Sequence, residues 1–252
     1  MDRLDERAIA LPGIEVRVVQ RCTSTNALLL AEGKPDVLLA AEEQTAGRGR
    51  RGRRWHASRG SAVTFSLARM VRRPPRELAG LALVAGVGAA RALRSLGAVR
   101  TALKWPNDLV IDGAKLGGIL VETRSPGAGP ALAVIGIGIN CRADPLVARR
   151  VHRPVTSLEQ YIAVERNQVI ARVATSLLEA LGAFDAEGLG RLAGEWEAMH
   201  AHAGERLRVR LANGRVLTGI AQGLAADGAL SLHTGTGVHA VHSARVLSAR
   251  RA

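Results

Sequence analysis

Three Asx-Gly pairs, Asp112-Gly113, Asn213-Gly214 and Asp227-Gly228, interrupt short apolar runs of this chain. Asn or Asp followed by Gly tolerates the positive φ values of tight hairpin turns, so each pair predicts that the chain doubles back as an antiparallel ribbon. Such turns argue for a mixed, largely antiparallel central sheet and against a Rossmann unit, whose parallel strands need long crossovers.

The remaining segments fit around those ribbons. Residues 15–20 alternate into a strand, and Thr23-Ser24-Thr25-Asn26 supplies N-cap residues for a short helix that closes at Gly33. An apolar strand follows over 36–42, then a loop without period over 44–60, then a strand over 61–68. Residues 76–97 are apolar all round, as in a helix buried on a sheet. Strands are expected over 100–105, 109–111 and 116–123, a turn over 126–130, and a buried strand over 131–141. A charged loop over 142–155 and helices over 166–183 and 189–202 complete the first unit. Beyond Gly204 short alternating strands recur, predicting a small SH3-like β-barrel. The expected class is therefore α+β: a mixed, largely antiparallel sheet flanked by helices over 1–202, followed by the barrel over 203–252.

The formal charge of +13 invites a nucleic-acid reading. Against it, the arginines are spread along the chain, aromatic residues make up only 2%, and the segment before Glu15 is too short for a helix-turn-helix. Sequence-specific DNA binding is not expected, although nonspecific adhesion at low salt is. The most apolar segment, 78–90, is too short to span a bilayer, and the N-terminus carries acids where a signal peptide is apolar. The reading is a cytoplasmic protein without membrane contact. Cys22 and Cys141 lack metal or redox spacing and are expected to be reduced.

Lysine is nearly absent. Of 35 basic residues other than histidine only Lys34, Lys104 and Lys115 are lysines, and the last two fall in KWPNDLVIDGAKLGGILVE, residues 104–122. An ammonium is a compact point charge that fits beside a phosphoryl oxygen, so both are candidates to face a ligand. In KWPND, Pro106 fixes a turn, Asn107 can donate to and accept from a heterocycle, and Asp108 can hold Mg²⁺ directly or through water. Gly117-Gly118 leaves room for a slender substrate along the sheet. In 47–53, GRGRRGR, glycines expose N–H groups while guanidiniums offer charge-assisted bonds to carboxylate or phosphate. Taken singly, Trp105 is equally a core filler, Asp108 a turn residue and GRGRRGR a solvated or RNA-binding loop. Together they suit activation of a carboxylate on a nucleotide, where positive charge meets the phosphorus as pyrophosphate departs.

TSTN (23–26), EQTAGRGRRGRRW (43–55), KWPNDL (104–109), KLGGILVE (115–122) and GIGIN (136–140) occur in the order and spacing of bacterial biotin protein ligases, and the chain resembles that family over nearly its whole length. The resemblance implies a catalytic domain like those of class II aminoacyl-tRNA synthetases and lipoate ligases, with ATP, Mg²⁺ and biotin as reactants. It further implies that Ser24, Thr25, Asn26 and Gln44 line the biotin head-group pocket, that Arg48, Gly49 and Arg50 close over biotin and its adenylate, and that Lys115 is the main electrostatic catalyst beside Arg48 and Arg50. Gly117 and Gly118 would flank biotin. Lys104, Trp105, Asn107, Asn140, Arg50, Arg51 and Trp55 fall on the nucleotide side, and Asp108 on the metal side. The implied partner is the biotin carboxyl carrier protein of acetyl-CoA carboxylase, and the implied state a monomer or homodimer. Two departures stand out. The chain begins at the catalytic domain, so the repressor activity of members with an N-terminal winged helix is not expected; and 142–155 has no aromatic residue to set against adenine. His56 is read as a loop residue and His233, His239 and His242 as strand-surface residues rather than a metal site. The alternatives are a lipoate or octanoate ligase, a nucleic-acid-binding protein, and a biotin-binding regulator without transfer activity.

Overall fold

A computed structural model describes residues 2–125, 129–151 and 153–250. In chain order the elements are α1 (Glu6–Ile9), β1 (Glu15–Val19), α2 (Thr25–Glu32), β2 (Val37–Ala41), β3 (Ala62–Val71), α3 (Leu81–Ser95), β4 (Ala102–Lys104), β5 (Asp108–Ile111), β6 (Ala114–Arg124), β7 (Ala131–Asn140), α4 (Pro145–Arg150), α5 (Arg166–Glu187), α6 (Gly190–Ala198), β8 (Arg206–Leu211), β9 (Val216–Leu224), β10 (Leu230–Thr234), β11 (Gly237–Val241) and β12 (Ala244–Arg250). The turn expected over 126–130 falls mostly on 126–128, outside the described residues.

Seven strands form one sheet in the order β1-β2-β3-β7-β6-β5-β4. Only β1 and β2 pair in parallel, because α2 carries the chain back between them; every other neighbour is antiparallel. The Ser24 hydroxyl caps α2 by accepting from the Ala27 N–H at 3.4 Å, and Gly33 ends it at φ 74°. Asp112 and Gly113 both take positive φ, 51° and 78°, as a two-residue β5–β6 hairpin requires. At the other two Asx-Gly pairs only the glycine does, with φ 85° at Gly214 and 83° at Gly228. Their connections are longer, closed by Leu211 N–H to Arg215 O and Ala225 N–H to Ala229 O, and need one left-handed residue each.

The expected barrel is an open antiparallel sheet, β11-β10-β9-β8-β12, and no pairing joins β11 to β12 among the described residues. It abuts the first sheet near the edge strand β4, which is itself capped by the chain after α6: Leu103 donates to Met199 O and accepts from Ala201 N–H.

The helix expected over 76–97 is α3 preceded by a 3₁₀ turn, Pro75–Gly80. Pro75–Ser95 is long enough to span a membrane, and an 18-residue window within it has mean hydropathy 1.3, yet 67% of that window is buried inside the fold. It lies between the sheet and α5. Helix α3 meets α5 at Gly88, where a Cβ would stand 2.9 Å from both Leu177 Cα and Ser176 O. A side chain there pushes two backbones apart, at roughly 1–3 kcal/mol. On the sheet side Gly86 admits Leu103 of β4.

Arg166, 1% exposed, bonds Glu42 Oε2 at 2.7 Å and Asp2 Oδ1 at 3.1 Å, and Glu42 Oε1 accepts from Leu4 N–H. Burial alone would depress the guanidinium's pKa, but the two carboxylates outweigh it and raise it. This network fixes the end of β2, from which the long loop to β3 departs. Within 142–155, expected as a loop, Asp144 caps α4 by accepting from Leu146 N–H and also binds the Ser58 and Ser61 hydroxyls. The two connections are thereby joined over one face of the sheet.

Candidate active site

That face carries a cleft of about 620 Å³. Its floor is β3, β6 and β7, its roof the loop from Arg48 to His56, and its far wall Arg150, Val151 and Arg153 with the start of β12. The two ends differ in chemistry.

At one end the groups are neutral and mutually hydrogen-bonded. Gln44 Oε1 accepts from Thr25 N–H at 2.8 Å; the Thr25 hydroxyl donates to Ser66 Oγ at 2.6 Å, which donates to Asn26 Oδ1 at 2.6 Å. Asn26 Nδ2 donates in turn to Glu122 Oε2 at 3.1 Å and Leu120 O at 3.2 Å. Glycine at 136 is what admits Asn26, since a Cβ there would overlap its Oδ1. Buried Ser24 and Thr64 complete the rim. Serine and threonine on alternate positions of β3, and helix-capping residues at the start of α2, thus place donors and acceptors in fixed directions.

At the other end the groups are cationic. Lys115 of β6 forms an ion pair with Asp108 Oδ1, and Arg153 bonds Asp108 Oδ2 at 3.0 Å. The hairpin brings the two residues together, because β5 and β6 pair across the Asp112-Gly113 turn. Arg50 reaches Asn107 Oδ1 at 3.4 Å, while Asn107 Nδ2 donates to Ile119 O at 2.8 Å. Lys104, Arg53 and Arg245 also line this end. Burial is the main cause that lowers the pKa of Lys115, Lys104, Arg50 and Arg53, with neighbouring arginines adding to it at each. One carboxylate serves several cations, so a ligand anion is the missing counter-charge.

Trp55 lies across the middle of the cleft over Gly138, where a Cβ would stand 2.6 Å from the indole. Lys115 Nζ is 5.9 Å from that ring, and the indole N–H is buried without a partner. An unpaired buried donor costs about 1–3 kcal/mol until a ligand acceptor satisfies it. The 47–56 loop is tethered at both ends of its reach: Arg48 to Glu122 Oε1 at 2.7 Å, and Arg51 to Ser243 Oγ at 2.6 Å on the second sheet. Arg51 holds a left-handed backbone, φ 56°, inside the Arg50–Gly52 turn.

Of the residues singled out from sequence, Ser24, Thr25, Asn26, Gln44, Arg48, Gly49, Arg50, Arg51, Trp55, Lys104, Asn107, Asp108, Lys115 and Gly118 all border this cleft. Gly117 and Asn140 do not. Gly117 faces away, and a Cβ there would sit 2.6 Å from Gly138 O, so it serves the close approach of β6 to β7. Asn140 Nδ2 donates to Thr156 O at 3.0 Å and Lys115 O at 3.4 Å, clamping the Lys115 backbone from behind. Trp105 also borders the cleft, but it is 3% exposed and its indole N–H donates to Gly228 O at 3.3 Å, so most of the ring packs in the core and is tied to the second sheet. Each oxygen of Asp108 is engaged by a cation, Oδ1 by Lys115 and Oδ2 by Arg153, and no group of three His, Cys, Asp or Glu suited to a metal exists among the described residues. In the second sheet His239 bonds Thr236 and His242 faces Asp227 at 3.4 Å. His56 Nδ1 lies 3.3 Å from Arg150.

Sequence reasoning named Arg53 only as part of the 47–53 loop and missed Arg153, Arg245, Ser66 and Glu122. The alternating TFS of 64–66 was a legible signal for the polar floor; Arg153 and Arg245 sit in stretches whose arginines look alike until the chain folds.

A groove with neutral, directional donors and acceptors at one end and a cluster of cations at the other, under an arginine loop, suits the class of proteins that couple an acid to a nucleotide. Known proteins agree. The Biotin/lipoate A/B protein ligase family matches residues 17–140, and the Biotin protein ligase C terminal domain matches residues 202–247. The Bifunctional ligase/repressor BirA of Escherichia coli (strain K12) is 36% identical over 231 residues, 88% of this chain and 70% of that protein. The Biotin--[acetyl-CoA-carboxylase] ligase of Mycobacterium tuberculosis is 35% identical over 232 residues, 88% of this chain and 84% of that one. Among solved structures, the biotin protein ligase from Aquifex aeolicus in complex with biotin and ATP superposes with a TM-score of 0.79 at 27% identity, covering 94% of this chain and 99% of that chain. The chain belongs to the biotin protein ligases of the Biotin/lipoate A/B protein ligase family.

Proposed function

We propose that this chain is an ATP-dependent biotin protein ligase that acts in the cytoplasm on the biotin carboxyl carrier protein of acetyl-CoA carboxylase. The observation that carries the reading is the continuity of one cleft from a hydrogen-bonding pocket to a lysine-arginine end. The ureido ring of biotin needs paired donors and acceptors, which Thr25, Asn26 and Gln44 offer, and its valeryl chain then runs along β6 past Gly118 toward Lys115.

There the biotin carboxylate attacks the α-phosphorus of ATP; a new P–O bond forms, the bond to the leaving oxygen breaks, and pyrophosphate departs. The Lys115 ammonium faces the reacting carboxylate and phosphate, and Arg50, held by Asn107, faces the same oxygens from the loop. Lys104, Arg53, Arg153 and Arg245 offset charge on the departing pyrophosphate. In the second step an acceptor lysine amine attacks the acyl carbon of the mixed anhydride, AMP leaves, and the amine proton is lost. Trp55 and the loop from Arg48 to Arg51 shield the anhydride from water in between. Mg²⁺ bound with ATP would offset charge on its phosphates, and Asp108 is the carboxylate that would hold it once an anionic ligand draws Lys115 and Arg153 away. Residues 1–202 supply the chemistry, and 203–252 supply Arg245 and the Ser243 anchor of the loop.

Purified protein is to be incubated with ATP and either biotin or lipoate, reading pyrophosphate release, and then with the carrier protein, reading its mass. Biotin-dependent release and a biotinyl mass shift are expected. Release with lipoate alone would assign the other branch of the family, and release without transfer would leave a biotin-binding regulator.

A further inference from the structure

Glu122 is a carboxylate that neither the pocket chemistry nor the charge of the phosphate end explains. It sits on β6 with its side chain 19% exposed, on the neutral side of the cleft. Its two oxygens face opposite ways: Oε1 takes Arg48 of the loop at 2.7 Å, and Oε2 takes Asn26 Nδ2 of the pocket at 3.1 Å. Behind Asn26 the bonds continue through Ser66 and Thr25 to Gln44, where the same loop begins. The loop root and the loop arginine are thus the two ends of one hydrogen-bonded chain closed by Glu122.

Resting on the functional reading above, we propose that Glu122 is a positioning residue that couples the biotin head-group pocket to closure of the arginine loop. Asn26 can satisfy a ring atom of biotin only with its amide oriented, and Glu122 fixes that orientation by accepting from Nδ2. The same carboxylate holds the Arg48 guanidinium against β6, so the roof lies over the groove in register with the pocket. A neutral side chain at 122 keeps an acceptor for Asn26 but surrenders the charge that draws Arg48 down.

Two readouts test this on the full-length chain. In ligand-free protein, trypsin cleavage within 48–54 is expected to run about fivefold faster in Glu122→Gln than in wild type, the scale of a partly exposed ion pair; an unchanged cleavage rate would overturn the coupling. This measurement needs no activity, so it stands or falls apart from the ligase assignment. In protein loaded with biotin and ATP, escape of the adenylate is expected to quicken by a similar factor in Glu122→Gln and in Arg48→Ala, with no further gain in the double variant. Effects that multiply would show two independent contacts and sink the proposal. Arg48 is on the surface loop, so Arg48→Ala carries the test even if Glu122→Gln folds poorly: unaltered loop cleavage and adenylate retention in Arg48→Ala would count against it. Failure of wild type to release pyrophosphate with biotin would instead overturn the functional reading.

Discussion

The two ends of the cleft hold their side chains by different physics. At the pocket end the polar groups are neutral except Glu122 and buried or nearly so, and Gln44, Thr25, Ser66 and Asn26 are bonded in one chain. At the other end Lys104, Lys115, Arg50, Arg53, Arg153 and Arg245 surround Asp108 and are held apart by mutual repulsion as much as held together. The first end is preorganised by directional bonds and is expected to discriminate by shape and donor pattern. The second is preorganised for charge and is completed only by an anion. The difference predicts that mutations, pH and salt will act on the two ends separately.

The largest effect should come from removing the ammonium that faces the reacting atoms. Lys115→Ala is expected to slow biotin-dependent pyrophosphate release by roughly 10²–10³, as for loss of one preorganised electrostatic donor. Biotin affinity, measured by calorimetry without ATP, should change far less. A variant equally defective in both would mean that the two ends are not separable.

The pocket end is sharpened by Thr25→Val, which keeps shape and deletes the hydroxyl between Gln44 and Ser66. Breaking that buried chain should weaken biotin binding about tenfold, from a loss of ~1–2 kcal/mol. The KM for ATP should stay put, and a matching rise in it would contradict the division of labour.

The pH dependence separates the ends a second time. Burial lowers the Lys115 pKa from its usual 10.5, and Arg153 lowers it further, while Asp108 opposes both. Activity that needs the ammonium is full below the lowered value and is lost as pH rises through it, so kcat/KM should fall on the alkaline side below the usual lysine range. Lys115→Arg stays charged and should lose that limb along with much of its rate. Stability moves in the opposite sense: the unfolded lysine binds its proton more tightly, so the buried ammonium's cost declines as pH climbs from the lowered value toward 10.5. On the acid side His200, 8% exposed and with neither ring nitrogen bonded, is pushed down to about 4 by burial and by His202. Its neutral form stabilises the fold fully above its unfolded value near 6.5, and that contribution is lost as pH drops toward 4. Thermal unfolding of His200→Phe should show a flatter acid limb over that window.

The hairpin turns and the caps of α2 were legible because they depend on residues adjacent in sequence: Asp112-Gly113 turns back whatever it is packed against, whereas the pairing of β3 with β7 joins strands far apart in the chain and was not. The pocket was legible only through the family resemblance, although TFS at 64–66 carried its polar face openly. Arg153 and Arg245 were not legible. They reach the cleft because Lys115 pairs with Val155 and because β12 lies beside β8 rather than completing a barrel, and both are contacts between distant segments. Gly117 and Gly118 teach the same lesson at short range. They are neighbours in sequence, but strand alternation turns one toward Gly138 and the other toward the Lys115 ammonium, so a shared motif splits into a packing residue and a cleft residue.

The smallest effect expected is that of salt, and it is the one that most directly separates the two ends. Raising ionic strength from 0.1 M to 1 M shortens the screening length from about 10 Å to about 3 Å. Attraction between ATP and the outer arginines acts over that range: Arg245 is exposed on β12 and Arg153 has 40% of its side chain exposed. Lys115, with 14% of its side chain exposed, is shielded from mobile ions, and the Thr25–Ser66–Asn26 chain carries no formal charge to screen. The KM for ATP should therefore rise by a few-fold, on the order of 1 kcal/mol or less, while the biotin affinity holds steady. Arg245→Ala should reproduce part of that rise at low salt and reduce what further salt can do, because the charge being screened is already gone. If salt instead weakened biotin and ATP equally, the neutral end would be drawing on the same charges as the other, and the cleft would be one electrostatic site rather than two.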